Sequence, residues 1–160
     1  MVRTGTGRAN IPHVVTVRTQ AQMDDALTVR RAVFIDEQGV LEEEEIDSYD
    51  GDPAVATGAL HVVAYADGQP VATGRLLLDA ASTEHAHIGR VAVLQEHRGG
   101  GCGRRVMEAL QTEARCLGYP GITLASQLHA IAFYERLGYV ARGDLFLDAG
   151  IEHRWMDLRL

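Results

Sequence analysis

The sequence predicts a mixed α/β domain built on a mostly antiparallel sheet. Two strand patterns, Leu60–Tyr65 and Val71–Leu78, flank the turn residues Asp67-Gly68 and read as a hairpin. A third strand pattern, Ile88–Leu94, runs into the turn Arg98-Gly99-Gly100-Gly101-Cys102-Gly103, and an amphipathic helical stretch, Arg104–Leu117, leaves it. Two more strand patterns follow a short helix at the end of the chain. At 160 residues, 46% of them hydrophobic, the chain can bury most of the surface its unfolded form exposes as one domain. No internal repeat or interdomain linker interrupts it.

Taken in order, residues 1–12 are expected to form a flexible N-terminus and 13–160 the domain. Val14, Val15 and Val17 predict the first strand. Thr19 and Gln22 have capping-box spacing. Met23, Ala26, Leu27, Val33 and Phe34 then fall mostly on one helical face, with Arg30 as the exception, and this helix is expected to run to about Glu37 and stop at Gly39. The acidic stretch Val40–Gly58, which contains Pro53, reads as a loop with at most a short helix. After the hairpin, a polar stretch, Asp79–His85, leads to the strand His87–Leu94. The helix behind the glycine turn carries Val106, Leu110, Ala114 and Leu117 on one stripe and ends at Gly118 with Pro120. Ile122–Ala125 predicts a short buried strand, and Ala130–Leu137 a two-turn helix ending at Gly138. The last strands lie near Tyr139–Arg142 and Glu152–Leu158, separated by Asp148-Ala149-Gly150.

Composition excludes several function classes. Net charge is −7, and no basic run exceeds Arg104-Arg105, so a nucleic-acid partner is not expected. No apolar run approaches the ~18–20 residues of a membrane span, and Met1–Asn10 lacks an apolar signal core, so a cytoplasmic protein without a membrane partner is expected. Cys102 and Cys116 sit at opposite ends of one predicted helix, roughly 21 Å apart at ~1.5 Å rise per residue, beyond the reach of a disulfide. Neither has companions at metal-ligand spacing, so no metal is expected.

The glycine turn carries the chemistry. Glycines clear side chains so that backbone N–H groups can close on an anion, and the following helix adds its unpaired N–H donors and positive dipole end. The segment reads as a pyrophosphate cradle. A dinucleotide G-x-G-x-x-G would need glycine where Val106 or Arg104 stands, and a nucleotide P-loop would need Lys-Ser/Thr where the chain continues Arg104-Arg105. The pattern that remains is Arg/Gln-x-x-Gly-x-Gly/Ala, met by Arg98, Gly101 and Gly103 behind Val91-Ala92-Val93. About thirty residues on, Ala130-Ile131-Ala132-Phe133-Tyr134-Glu135-Arg136-Leu137-Gly138-Tyr139 matches the companion motif. The chain resembles the GNAT acetyltransferases over roughly Val14–Leu160. Arg31–Val40, Glu45-Ile46-Asp47, Gly74-Arg75-Leu76, Gly89-Arg90-Val91 and Gly150-Ile151-Glu152-His153 bring it closer to the ElaA-like and YjcF-like bacterial subgroup.

The resemblance implies a GNAT fold: a central mixed sheet of six to seven strands, about four flanking helices, and a fourth and fifth strand, here His87–Leu94 and Ile122–Ala125, that run parallel and splay to admit acyl-CoA. It implies that backbone amides from Gly99 through Gly100, Gly101, Cys102 and Gly103 to Arg104 hold the pyrophosphate, with Arg98 beside them. Val91, Ala92 and Val93 would meet the pantetheine arm, the Val91 amide polarising the thioester carbonyl, and Ala130 and Phe133 would also contact the cofactor. Tyr134 is placed as general acid, since a phenol of pKa ~10 stays protonated at neutral pH and can protonate a departing thiolate. The alternative for Tyr134 is a packed aromatic. Gln127 stands where many members carry asparagine, with the amide retained on a longer reach. Cys102 simply lines the cofactor loop, although a helix N-terminus can also activate a thiol.

The base is open. His87 occupies the strand position where some relatives carry a carboxylate, His61, His129 and His153 are rivals, and a water chain without a dedicated base is also permitted. Glu37, Glu45 and Asp47, near the acceptor wall, would attract a cationic amine, while Glu42–Glu44 also read as a solvated charge run. Arg75 and Arg90 either pair with those acids or bind an acceptor carboxylate. The expected function is acetyl-CoA-dependent transfer to a primary amine of a small molecule or protein, by direct attack because no cysteine stands with a histidine and acid in recognisable order. A non-catalytic acyl-CoA sensor is the alternative, and the resemblance also implies frequent homodimers.

Overall fold

The computed structural model describes residues 11–55, 58–78 and 84–160. Met1–Asn10 and most of the polar stretch Asp79–His85 therefore lie outside the described residues. One seven-stranded sheet runs through the molecule: β1 (His13–Thr16), β2 (Ala59–Ala66), β3 (Gln69–Leu77), β4 (His85–Val93), β5 (Gly121–Gln127), β6 (Val140–Asp148) and β7 (Ile151–Arg159). Its spatial order is β1-β2-β3-β4-β5-β7-β6, antiparallel throughout except for the parallel β4–β5 pair. This is the expected mixed sheet and the GNAT fold. No described helix is long and apolar enough to cross a membrane.

Helices cover both faces. α1 (Gln20–Arg30) starts at the expected capping box, where the Gln22 amide N–H donates to Thr19 Oγ1 at 3.2 Å and the Thr19 N–H donates to Gln22 Oε1 at 3.2 Å. Met23, Ala26 and Val29 bury against Val63 and Ala92 on one side of the sheet. The helix does not continue as α to Glu37: at Arg31 it widens into a π-helical stretch, Arg31–Glu37, before Gly39 turns the chain at φ +72°. The acidic stretch holds a four-residue helix, α2 (Glu42–Glu45), and a 3-10 turn at Ser48–Asp50.

On the other face lies α3 (Cys102–Cys116), with Val106, Met107, Leu110 and Ala114 fully buried against Val62, Leu76, Ile88 and Ile122. Leu117, expected on the same stripe, is 52% exposed because the helix has ended beneath it. Gly74 on β3 lets α3 approach: a Cβ there would lie 2.7 Å from Val106 Cγ1 and 2.8 Å from Leu110 Cδ1. The short helix α4 (Ile131–Arg136) packs against β5 and β6. β6 runs longer than expected, because a bulge at Gly143, φ +71°, carries the strand on to Asp148.

One irregularity positions the site. Between the pairs Thr73–Ala92 and Arg75–Gly89, β4 advances three residues while β3 advances two, so β4 carries a bulge, with Arg90 at φ +53°. β4 and β5 pair only from His85–Gly121 to Ile88–Leu124. Beyond that point both strands continue without pairing to each other, and the sheet opens.

Candidate active site

The opening between β4 and β5 is the waist of a cavity of about 870 Å³. One end is bounded by the glycine turn, Phe133 and Tyr134, and the other by Phe34, Gln38, Glu44, Glu45 and the β6–β7 turn. Val91, Ala92 and Val93 line one side of the waist, and Leu124, Ala125 and Gln127 the other.

At the first end the lining is backbone. Gly99 and Gly101 adopt φ +80° and +87°, and Gly101 is the N-cap of α3, so the unpaired amides of the first helical turn, Cys102, Gly103 and Arg104, converge there. Gly103 is pinned by packing: a Cβ would meet Phe133 Cζ at 3.2 Å. N–H donors at a helix N-terminus, followed by strand edges left unpaired at the waist, fit a pyrophosphate with a peptide-like arm. Cys102 lines this end and is buried; burial pushes its thiol up, which disfavours a thiolate nucleophile. Arg98 also lines it, but its guanidinium is engaged: Nε donates to the Val93 carbonyl at 2.9 Å and Nη2 to both Glu37 carboxylate oxygens at 2.9 and 3.0 Å.

Two buried tyrosines sit behind the waist with different fates. Tyr139 accepts a hydrogen bond from Gln111 Nε2 at 2.9 Å, so its hydroxyl serves the core. Tyr134 packs edge-on between Phe133 and Tyr139, at ring separations of 5.0 and 5.8 Å, and its hydroxyl bonds to none of the described residues while the residue lines the cavity. Burial, with Tyr139 adding to it, raises its phenol well above the ordinary value, so it remains protonated across the physiological range.

The far wall is made of compensated charge. Arg30 is 1% exposed; it donates to Glu45 Oε1 at 2.8 Å, to the Glu45 carbonyl at 2.6 Å, and to Asp50 at 2.6 and 3.0 Å. Arg75 reaches Asp47 at 2.9 Å and Asp50 at 3.2 Å, and Arg90 lies 3.3 Å from Glu45 Oε2. Three guanidiniums thus meet three carboxylates. Burial pushes the Asp50 carboxyl up, but Arg30, the Asp47 backbone N–H and Arg75 outweigh it and hold Asp50 at about 2. His61, buried beside Asp50 with Nε2 2.9 Å from the Tyr49 carbonyl, is pushed below its ordinary value by burial.

Several expected residues are placed elsewhere. His87 does not line the cavity: it sits where β4 is still paired, and its ring meets Trp155 edge-on at 6.4 Å. Glu37 is held by Arg98 outside the lining, and Asp47 and Arg75 pair with each other beneath the wall, so of the three acids only Glu45 reaches the cavity, already bonded to arginine. Arg75 and Arg90 both pair with acids, and Arg90 also lines the cavity. Gly100 shapes the turn without lining the cavity. Gln127 lines it, but its amide is paired reciprocally with Gln38, at 3.0 and 2.9 Å, across to the end of the π-helical stretch. Ala130 and Phe133 line it.

Gln38, Phe34 and the β6–β7 turn were missed, because each reaches the cavity only through tertiary placement. Arg30 and Asp50 were missed too, although an arginine interrupting the apolar face of a helix was a readable signal for the first.

Fold and cavity define an acyltransferase, and the chain belongs to the acetyltransferase (GNAT) family, whose profile matches residues 25–139. It is similar to the uncharacterised N-acetyltransferase YjcF of Bacillus subtilis strain 168, at 36% identity over 143 residues that cover 89% of this chain and 96% of that one. The crystal structure of Escherichia coli ElaA superposes with a TM-score of 0.77 at 25% identity, covering 92% of this chain and 99% of that one. That of an acyl-CoA N-acyltransferase from Pseudomonas aeruginosa gives 0.76 at 30%, with the same coverage. These matches support the ElaA-like and YjcF-like subgroup.

Proposed function

We propose that the enzyme transfers the acetyl group of acetyl-CoA directly to a primary amine of a small molecule or peptide, in the cytoplasm. The observation that carries this reading is the continuity of the cavity, whose lining joins an anion cradle, an unpaired strand edge, a protonated buried phenol and the charged wall of Glu44, Glu45 and Arg90. The amides of Cys102, Gly103 and Arg104 would bind the donor's pyrophosphate, and the edge of Val91 with the Val93 N–H, whose carbonyl already accepts from Arg98, its pantetheine amides. The Val91 N–H would polarise the thioester carbonyl, where a preorganised donor stabilises developing oxyanion charge. Tyr134 would protonate the departing thiolate; its raised value suits a donor and not a base.

Acetyl-CoA titration calorimetry, run with thiol release against polyamines, aminoglycosides, amino acids and lysine peptides, tests this reading. Binding with release for one amine class supports it. Binding without release points to a sensor, and absence of binding overturns the assignment of the glycine turn. In Tyr134→Phe, kcat is expected to fall about 10²- to 10⁴-fold while acetyl-CoA affinity is kept; an unchanged kcat would return Tyr134 to a packing role.

A further inference from the structure

We propose that His153 is the general base that takes the proton from the acceptor amine, a role that rests on the acyl-transfer reading above. Four observations on one side chain converge. First, the residue lines the cavity, on the strand next to the splayed end of β5, where His153 is the register partner of Gln127. Second, its tautomer is set. Nδ1 lies 2.7 Å from the Ile151 carbonyl oxygen, which can only accept, so Nδ1 carries the hydrogen. In the neutral ring Nε2 then holds the lone pair, and it makes no hydrogen bond among the described residues.

Third, the ring is held in orientation. It is 8% exposed and stacks on Phe146 at 5.9 Å and 26°, and Phe146 stacks in turn on Trp155 at 5.0 Å. A fixed tautomer and a packed ring are what a proton acceptor needs to be aimed before substrate arrives. Fourth, the turn that delivers it is strained. Ala149 and Gly150 both have positive φ, +50° and +74°, as a two-residue hairpin requires, although alanine resists that conformation. This turn starts β7 so that Ile151 and His153 fall on one side of the strand.

The other histidines lack this combination. His61 and His87 do not line the cavity; His97, half-buried ahead of the glycine turn, and His129, exposed, both line it but have no hydrogen bond fixing the ring among the described residues.

The step balances. The amine nitrogen attacks the thioester carbon and forms the C–N bond while its proton passes to His153 Nε2. The C–S bond breaks, and the thiolate takes a proton from Tyr134. His153 then releases its proton to water and Tyr134 regains one, so the net transfer moves the amine proton to the thiol.

The charged and titratable groups on the elements packed against the ring and on the same cavity lining include Asp148 on the β6–β7 turn, Glu152 and Arg154 beside it on β7, Arg142 on β6 over Trp155, His129 on the turn after β5, Glu44, the Glu45–Arg90 pair and Tyr134. A pH profile therefore needs the variant to assign it. The experiment measures thiol release against pH for the wild-type protein, His153→Gln and His153→Ala with the amine found active in the panel, with acetyl-CoA calorimetry on each. The wild type is expected to show an acidic limb, the rate falling where a neutral ring nitrogen is no longer available to take the amine proton. His153→Gln is expected to lose about 10²- to 10⁴-fold in kcat with acetyl-CoA affinity retained and that limb absent, and imidazole is expected to restore part of the rate of His153→Ala. A His153→Gln rate within about threefold of wild type, or a wild-type profile without the acidic limb, overturns the assignment while leaving acyl transfer standing. A wild type that binds acetyl-CoA but releases no thiol with any amine overturns the transfer reading itself, and the base with it.

Discussion

At the glycine turn the cavity is lined by main chain: Gly99 and Gly101 at positive φ, and the first amides of α3, which any side-chain chemistry nearby leaves in place. At the opposite wall it is lined by side chains whose positions depend on charge pairing, with Arg30 at the centre and Glu45 and Asp50 closed onto it. The first end needs little from the rest of the fold beyond a helix that starts there. The second needs residues 15 and 20 positions from Arg30 to be brought to it, and it tolerates no missing member, since each removed partner leaves a charge buried. The glycine-turn end of the cavity is thus a local device, and the charged wall a tertiary one.

That contrast can be broken most sharply at Arg30. Arg30→Leu leaves Glu45 and Asp50 buried without their guanidinium and is expected to cost about 3–5 kcal/mol in chemical denaturation; a loss below about 1 kcal/mol would show that water replaces the pair and that the wall is not held by charge. At the other end, Gly101→Ala forces an L-residue into φ +87° and is expected to cost about 1–2 kcal/mol, read as roughly 5- to 30-fold weaker acetyl-CoA binding. Unchanged affinity would mean that the amides of this turn do not hold the donor.

Acid sharpens the comparison further. Asp50 is depressed to about 2, so its contribution to stability is present above the unfolded carboxylate value, ~3.9, and is lost as pH falls from there through about 2. Melting temperature is expected to drop across that window in the wild type and to be flatter in Asp50→Asn. The smallest effect is expected from Glu37→Gln, which removes the partner of Arg98. That pair ties the end of the π-helical stretch to the glycine turn but is partly exposed, at 33% and 43% for the side chains, and exposed pairs contribute about 0–1 kcal/mol. A larger loss would show that the stretch and the turn are mechanically coupled.

The same division decided what could be read beforehand. The capping box at Thr19, the Asp67-Gly68 hairpin, the glycine turn and the stripe on α3 are written in residues close together, and all were legible. Tyr134 was reachable because its motif is contiguous. The far wall was not, because which of many carboxylates meets which arginine is settled by the π-helical stretch and the small helix α2, whose placement no local pattern encodes. The strand position of His87 does not show that pairing of β4 with β5 persists to Ile88. The pairing of the Gln127 amide was not legible either, because its partner Gln38 lies 89 residues away in sequence.

The bulge at Arg90 acts on β4 as a frameshift. Ala86 and Ile88, before it, face the α3 core, and by strict alternation Ala92 would follow them; instead Ala92 packs on the α1 side with Val29 and Val33, while Val91 and Val93 lean toward α3. A single extra residue thus exchanges inside for outside halfway along a central strand, at the place where the sheet parts. Chain length at that point separates a closed sheet from one with a slot through it, so a one-residue deletion near Arg90 would be expected to erase the cavity while leaving nearly every other contact of the fold intact.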